Sequence, residues 1–337
     1  MVRLHTARWD AERSGGRKLH NQDDGSEAGE TVNRFGVITA YADQDASSRG
    51  LIAACSRYGE VVVVDPAELS AAVVDGSIVV RCAGRPASEL DCFLLVRGIG
   101  RKGDPDFQFE AYRALELQDA PLLNRLDALL AAQDKFRTSL ILAREGIATP
   151  EVHVIQRASE AEAALRALGR AVAKPLWGSL GDGIELLEGN AGMRRAQQLL
   201  EERAALYLQR YVEHGGRDVR AFVVGGEVEA AMERIAPAGE FRTNVSIGAE
   251  PRAIELPPEA EALAVRAARA LGLDWAGVDL AFGPAGPTVI EVNGRPNWEG
   301  IFRATGRDMA EAIAAYAARR AQARLRVVAA PVEGMGG

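Results

Sequence analysis

The sequence predicts a fold that is α/β at its start and α+β further on, an open parallel layer followed by antiparallel hairpins and capped helices. Three observations carry this. Short apolar runs alternate with helix-sized segments between residues 35 and 98, the pattern of parallel strands joined by crossover helices. Downstream of Leu206 the strand-like segments are separated by tight turn signals, Gly225 and Gly226 being the clearest, which favours antiparallel pairing. At 337 residues the chain also exceeds what one hydrophobic core usually organises, so more than one packed unit is expected.

Residues 1–33 are polar, rich in Gly, Asp, Glu and Arg, and follow neither a period of 2 nor one of 3.6; they are expected to form an unordered leader. FGVITA, the valines at 61–64, SIVVR near 80 and CFLLVRG from 92 then supply four strands of an α/β domain over 34–123. LDALLAAQDKFRTSLILAREG places Leu126, Leu129, Leu130, Phe136, Leu140 and Leu142 at roughly helical spacing and stops at Gly146, predicting one helix. EVHVIQ reads as a strand, and Ser159 with Glu162 three residues on forms a capping box for a helix running to Gly169. AVAKP and IELLE are strands either side of the loop KPLWGSLGDG, and a helix over 191–205 closes a unit spanning 124–205. From 206 to 325 the segments LYLQRYV, DVRAFVVG and EVEAAMER predict one antiparallel sheet. A helix from Pro257 and Pro258 to Gly272 follows, then a hairpin of AGVDLAF and PTVIEVN. A terminal helix is opened by Asp308 with Glu311, and residues 326–337 form a tail.

Composition narrows the function classes. With 47% apolar and 26% charged residues the chain is that of a globular protein. No run approaches the roughly 20 apolar residues of a membrane span, and the first 33 residues carry charges where a secretory signal needs an apolar stretch, so no membrane partner and a cytoplasmic setting are expected. The net charge of −7 disfavours nucleic acid as a general partner, and the arginines at 319, 320, 324 and 326 read as a solvated helix face. Cys55, Cys82 and Cys92 lack metal-type spacing and read as reduced core thiols. Oligomeric state is not legible, a homo-oligomer being compatible with everything above.

The sharpest chemical signal is AGVDLAFGPAGPTVIEVNGRP. Asp279 and Glu291 stand inside strongly apolar strands, where an unpaired carboxylate is costly. Parity puts Glu291 and Asn293 on one face, and a five-residue connection from Gly283 to Pro287 sets Asp279 opposite Glu291; a four-residue loop would put them on opposite faces. Facing carboxylates repel unless a cation bridges them. Two carboxylates and an amide oxygen suit Mg²⁺ (or Mn²⁺), with no His or Cys at hand for Zn²⁺; the competing reading pairs both acids with arginines such as Arg295. Lys174 ends an apolar strand and is followed by Gly178, Ser179, Gly181 and Gly183, a density of glycine that lets backbone N–H groups approach an anion. Neither a Walker loop nor a dinucleotide fingerprint is present.

DKFRTSLILAREGIATP, AVAKPLWGSLGDGI, QRYVEHGGRDVRAFVVGGEVEAAMERIAP, FRTNVSIGA and AGVDLAFGPAGPTVIEVNGRPNWEGI occur in this order. Over residues 35 to about 320 they make the chain resemble the ATP-grasp superfamily and, within it, the RimK-like α-L-glutamate ligases. The resemblance implies an ATP-grasp fold behind an N-terminal pre-ATP-grasp domain. It implies that Lys135 and Lys174 contact the phosphates of ATP, that Gln209, Arg210, Tyr211 and Val212 lie beside the adenine, and that Asp218 lies in the nucleotide region. It further implies that Arg220, Arg234, Arg242 and Asn244 bind phosphate or substrate carboxylate, and that Asp279, Glu291 and Asn293 occupy magnesium positions. Two departures stand out: Arg210 replaces an acidic hinge residue, and GRPNWEG replaces small residues after the metal Asn, so Arg295, Asn297 and Trp298 bear on the acceptor.

The expected reaction is an ATP-dependent carboxylate–amine ligation through an acyl phosphate, with positioning and charge neutralisation as its main devices. L-Glutamate or another amino acid is the expected amine, and a small molecule, peptide or protein terminus supplies the carboxylate. The alternatives are an ATP-sensing protein that has lost the chemistry and an NAD-binding oxidoreductase, the latter disfavoured by the missing glycine fingerprint.

Overall fold

The computed structural model describes residues 32–118, 121–176 and 183–329. The first part contains β1 (Asn33–Thr39), α1 (Ala46–Cys55), β2 (Gly59–Val64), β3 (Leu69–Val74), β4 (Ser77–Cys82), β5 (Arg85–Pro86), β6 (Cys92–Arg97), α2 (Pro105–Leu117) and β7 (Leu122–Leu123). Four of these strands pair in parallel in the order β2-β1-β6-β7. SIVVR is not among them: β4 pairs antiparallel with β3 and β5 in a small separate sheet. Alternation explains the difference, since β3 to β5 are mostly exposed or half-exposed, whereas β6 is buried at five of its six residues, as a strand covered on both faces must be.

The helix expected over 124–146 is two helices, α3 (Leu126–Gln133) and α4 (Lys135–Arg144). Asp134 divides them. Its backbone is extended and its side chain accepts from the N–H groups of Phe136 and Arg137, an N-cap that starts a new helix instead of continuing the old one. β8 (Val152–Ile155), α5 (Ala158–Leu168), β9 (Ala171–Lys174), β10 (Glu185–Leu187), α6 (Gly189–Arg203) and β11 (Leu206–Arg210) follow, with strand order β10-β9-β11-β8. The capping box at Ser159 does not form: Arg157 is the N-cap without a side-chain bond, and Glu162 pairs with Arg166 one turn on.

The remaining strands are β12 (Arg217–Val224), β13 (Glu227–Ile235), β14 (Glu250–Ala253), β15 (Trp275–Gly283) and β16 (Gly286–Asn293), in a five-stranded antiparallel sheet ordered β14-β13-β12-β15-β16. LYLQRYV was expected beside β12 and β13 but lies in the preceding sheet as β11. Gly225 and Gly226 both have positive φ, 61° and 90°, the geometry that a two-residue hairpin turn needs. Helices α7 (Pro258–Ala270), α8 (Glu299–Thr305) and α9 (Met309–Ala329) complete the chain.

One apolar cluster runs from the parallel sheet (Ile38, Leu95) through α3 (Leu126, Leu129) to β15 and β16 (Val278, Val292). A second joins Phe35 and Leu94 to Phe222, Trp275 and α9. A third is confined to the sheet of β8 to β11 and helices α5 and α6. The three thiols are buried and free; burial pushes those of Cys55 and Cys82 up to about 12. The arginines of α9 are not simply solvated: Arg320 pairs with Asp274 and Arg324 donates to the Leu90 carbonyl. No helix of the described residues is long and apolar enough to cross a membrane.

Candidate active site

Asp279 faces Glu291 across the last hairpin, but not through the expected connection. The turn is two residues long, Pro284 and Ala285, with Gly283 paired to Gly286. On that register alone Asp279 would face Ile290. A bulge between Asp279 and Leu280 leaves Ile290 as the extra residue, so Leu280 pairs with Val289 and Asp279 with Glu291; the inserted residue restores the parity that the short turn removes. The Ile290 carbonyl then lies 3.5 Å from Lys174 Nζ and 3.4 Å from Gln209 Nε2.

Cross-strand register also gathers the arginines. Asp218 sits opposite Arg234, and Arg220 opposite Asp279. Arg234 donates to both Asp218 oxygens at 2.7 and 2.5 Å and comes within 3.0 Å of Asp279, while Arg220 donates to both Asp279 oxygens at 2.7 Å. Asp218, Arg234 and Asp279 are each no more than 3% exposed. Burial alone would raise the Asp279 carboxyl, but the guanidiniums of Arg220 and Arg234 outweigh it and hold the group below the usual carboxylate range. The charge of Asp279 is therefore compensated by protein groups, and Arg295 is not one of them.

The metal positions fit a hard cation on donor chemistry. Among the described residues no three His, Cys, Asp or Glu side chains converge; the set is two carboxylates and the Asn293 amide. A carboxylate holding two guanidiniums keeps lone pairs for a further ligand. Asn293 Nδ2 is buried without an acceptor, which suits a site completed by an anion together with its cation.

Lys174 is buried on β9, its Nζ donating to Gln209 Oε1 at 2.7 Å. Burial lowers its pKa, the nearby Lys135 charge adds to that, and Glu291 opposes it. Lys135 is the first residue of α4, placed by the Asp134 cap. Two connected spaces adjoin these groups. A narrow slot of about 80 Å³ is lined by Val172, Ile184, Tyr211, Val212, Phe241 and Ile290, with Lys174, Gln209, Asp218 and Arg242 at its polar side. A wider cleft of about 540 Å³ shares Ile184, Arg234, Asn244 and Glu291 with the slot and is lined further by Lys135, Arg220, Asn293, Arg97, Arg295 and Arg303. Six cationic side chains line the cleft against three carboxylates, which makes it a receptor for anions.

Most of the expected site residues thus surround one continuous space. Arg210 lines the slot, but its guanidinium pairs with Glu151 and donates to the carbonyls of Ala167 and Leu168. Arg242 holds Glu240, whose carboxyl it pulls down to about 2. Gly183 forms a positive-φ turn against Pro175, whereas Gly178, Ser179 and Gly181 lie outside the described residues. Sequence reasoning missed Arg97, which ends β6 of the first sheet, and Asp45, the N-cap of α1. The signal was present in CFLLVRG: a charge ending a buried parallel strand marks the carboxyl end, where ligand crevices open in such sheets.

Comparisons with known proteins identify the family and the fold. The RimK-like ATP-grasp domain profile matches residues 132–317. A protein named probable alpha-L-glutamate ligase 1 from Shewanella amazonensis is 34% identical over 292 residues, covering 84% of this chain and 94% of that protein. The tetrahydromethanopterin:alpha-L-glutamate ligase of Methanosarcina acetivorans is 35% identical over 260 residues, 68% and 80% of the respective chains. Among solved structures, the ATP-grasp ligase PsnB complexed with a minimal precursor, Mg and ADP shares the fold, with a TM-score of 0.69 at 18% identity over 85% of this chain and 97% of that one. With two thirds or more of such relatives covered at over 30% identity, and the domain profile spanning the slot, the acidic hairpin and the cleft's lining apart from Asp45 and Arg97, the chain belongs to the RimK-like ATP-grasp ligase family.

Proposed function

We propose that this ligase joins L-glutamate, or another amino acid, to the carboxylate of an acceptor through an acyl phosphate, converting ATP to ADP and phosphate. The observation that carries the reading is the placement of Glu291, Asp279 and Asn293 where the apolar slot meets the cationic cleft, beside Lys174. Adenine fits the slot between Val172, Tyr211 and Ile290, with Gln209 and the backbone through Val212 along its edge. Lys174 and Lys135 point the phosphates toward the cleft.

Glu291, Asn293 and Asp279 would hold Mg²⁺ or Mn²⁺, which when bound neutralises charge on the phosphates. The protein's own groups do the rest by position and charge. An acceptor carboxylate oxygen forms its bond to the γ-phosphorus as the bond to ADP breaks. The amine then attacks the acyl carbon, phosphate leaves, and the amine's surplus proton goes to solvent. Arg220, Arg234 and Asn244 border the space where the transferred group and the tetrahedral oxyanion would lie, and fixed donors there lower the barrier without reorganising.

The test is ADP release from ATP and Mg²⁺ with L-glutamate and a panel of acceptor carboxylates, followed by product masses. Glu291→Gln should lower ADP formation by about 100-fold or more, the scale on which electrostatic groups in such sites act, with an unchanged circular dichroism spectrum. Undiminished turnover in that variant would refute the assignment.

A further inference from the structure

We propose that Tyr207 and Ser139 are positioning residues for the nucleotide: their hydroxyls fix the Gln209 amide that holds the Lys174 ammonium, and tie that ammonium to the turn of α4 that begins at Lys135. The inference rests on the proposed placement of Lys174 and Lys135 at the ATP phosphates and names what sets those two charges.

The groups form one buried chain. Lys174 Nζ donates to Gln209 Oε1 at 2.7 Å, Gln209 Nε2 donates to Tyr207 Oη at 3.4 Å, and Tyr207 Oη lies 3.0 Å from Ser139 Oγ. Ser139 Oγ in turn donates to the Lys135 carbonyl at 3.0 Å. Lys174, Gln209, Tyr207 and Ser139 are each no more than 8% exposed, so their polar atoms depend on protein partners. The period of 2 along β11 brings Tyr207 and Gln209 to one face, and strand pairing sets Tyr207 opposite Lys174 on β9.

Proton counting gives every bond a direction. The Ser139 hydroxyl has one proton, which goes to the Lys135 carbonyl, so the Tyr207 phenol must donate to Ser139. Burial pushes that phenol up to about 12, against the opposing effect of the Ser139 bond, which keeps its proton in place and leaves its oxygen as an acceptor for Gln209. The second Gln209 N–H faces the Ile290 carbonyl at 3.4 Å. A turned amide would set its NH₂ group against the Lys174 ammonium and its oxygen against the Ile290 carbonyl, like against like at both ends. The amide therefore has one orientation, and its oxygen is committed to Lys174.

That commitment matters because a lysine ammonium is a compact charge on a flexible stem. The chain runs from one nucleotide lysine to the other, and from the sheet of β8 to β11 to helix α4. A cavity of about 10 Å³ beside it is lined by Lys135, Ser139, Lys174, Tyr207 and Glu291, so both lysines border one space next to Glu291. Buried hydrogen bonds in series polarise one another, and removing one link loosens those on either side.

The experiment measures binding of the ATP analogue AMPPNP with Mg²⁺ by calorimetry to the full chain and to Tyr207→Phe, Ser139→Ala, Lys174→Met and Tyr207→Phe combined with Lys174→Met. Tyr207→Phe and Ser139→Ala should each weaken AMPPNP by about threefold to tenfold, the net worth of one buried hydrogen bond. Added to Lys174→Met, Tyr207→Phe should cost nothing more, because the ammonium through which it acts is gone. A merely structural hydroxyl would weaken binding by the same factor with or without Lys174, and that result overturns the inference. So does wild-type affinity in both hydroxyl variants. Lys174→Met separates the two claims. Weakened AMPPNP binding in that variant with unaffected hydroxyl variants sinks the positioning role alone, whereas wild-type affinity in Lys174→Met removes the lysine from the phosphates and takes both claims with it.

Discussion

Arg234 is the residue on which the buried charges converge. It donates to both oxygens of Asp218 and contacts Asp279 while only 3% exposed. Burial works against its charge, but Asp218 and Asp279 together raise its pKa above the usual arginine value. Replacing it by Ala would leave Asp218 without its bidentate partner and Asp279 with Arg220 alone. Because an uncompensated buried carboxylate is far costlier than the intact pair is favourable, Arg234→Ala should lose about 3–5 kcal/mol of stability in urea unfolding. Arg234→Lys should recover little of it, since an ammonium cannot span two carboxylates with a planar fork. At this scale the sequence announced the acids, because Asp279 and Glu291 interrupt apolar strands. It did not announce their partners: Arg220 and Arg234 are distant in sequence from Asp279 and meet it only through strand pairing.

Elements aim these side chains. Asp134 ends α3 and caps α4, and so sets where Lys135 leaves the helix. Removing that acceptor in Asp134→Ala strands two backbone N–H groups and should cost about 1 kcal/mol, the usual worth of an N-cap, read as a lower thermal midpoint. The same variant should raise the KM for ATP, because Lys135 loses its fixed origin beside the cleft. The cap was legible as an Asp before a helical run, yet apolar spacing carried across it and hid the break. The hairpin teaches the complementary point. Its strands were legible from composition and the facing of Asp279 and Glu291 followed from parity, but the parity rested on a longer loop than the one that forms. Turn length and bulge compensate each other, and a sequence pattern of period 2 cannot distinguish the two solutions.

For the whole molecule, the distribution of the core predicts how it opens. The first two apolar clusters thread both the parallel sheet and the five-stranded sheet, so these layers should unfold together. The cluster of Ile155, Leu165, Ala173, Leu199 and Leu208 touches neither. Native-state hydrogen exchange should therefore show amides of β8 to β11, α5 and α6 opening at a lower free energy than those of β1, β6, β12 and β15. A nonhydrolysable ATP analogue with Mg²⁺ should raise protection in that unit, since Lys174 and Gln209 lie on its face toward Glu291. Equal protection in all sheets would contradict this division.

The amino-acid sequence by itself determined the order of the layers, the acidic hairpin, the lysine before the glycine loop and the family to which the chain belongs, because apolar periodicity and motif order are local properties written along the chain. Tertiary structure alone decided that the valine-rich segment near 80 leaves the parallel sheet, that a bulge and not a loop brings Asp279 to Glu291, and that Arg97 reaches the Arg295 carbonyl. Those outcomes depend on which faces meet and which charges find partners, and such long-range pairings are fixed only when the chain has packed.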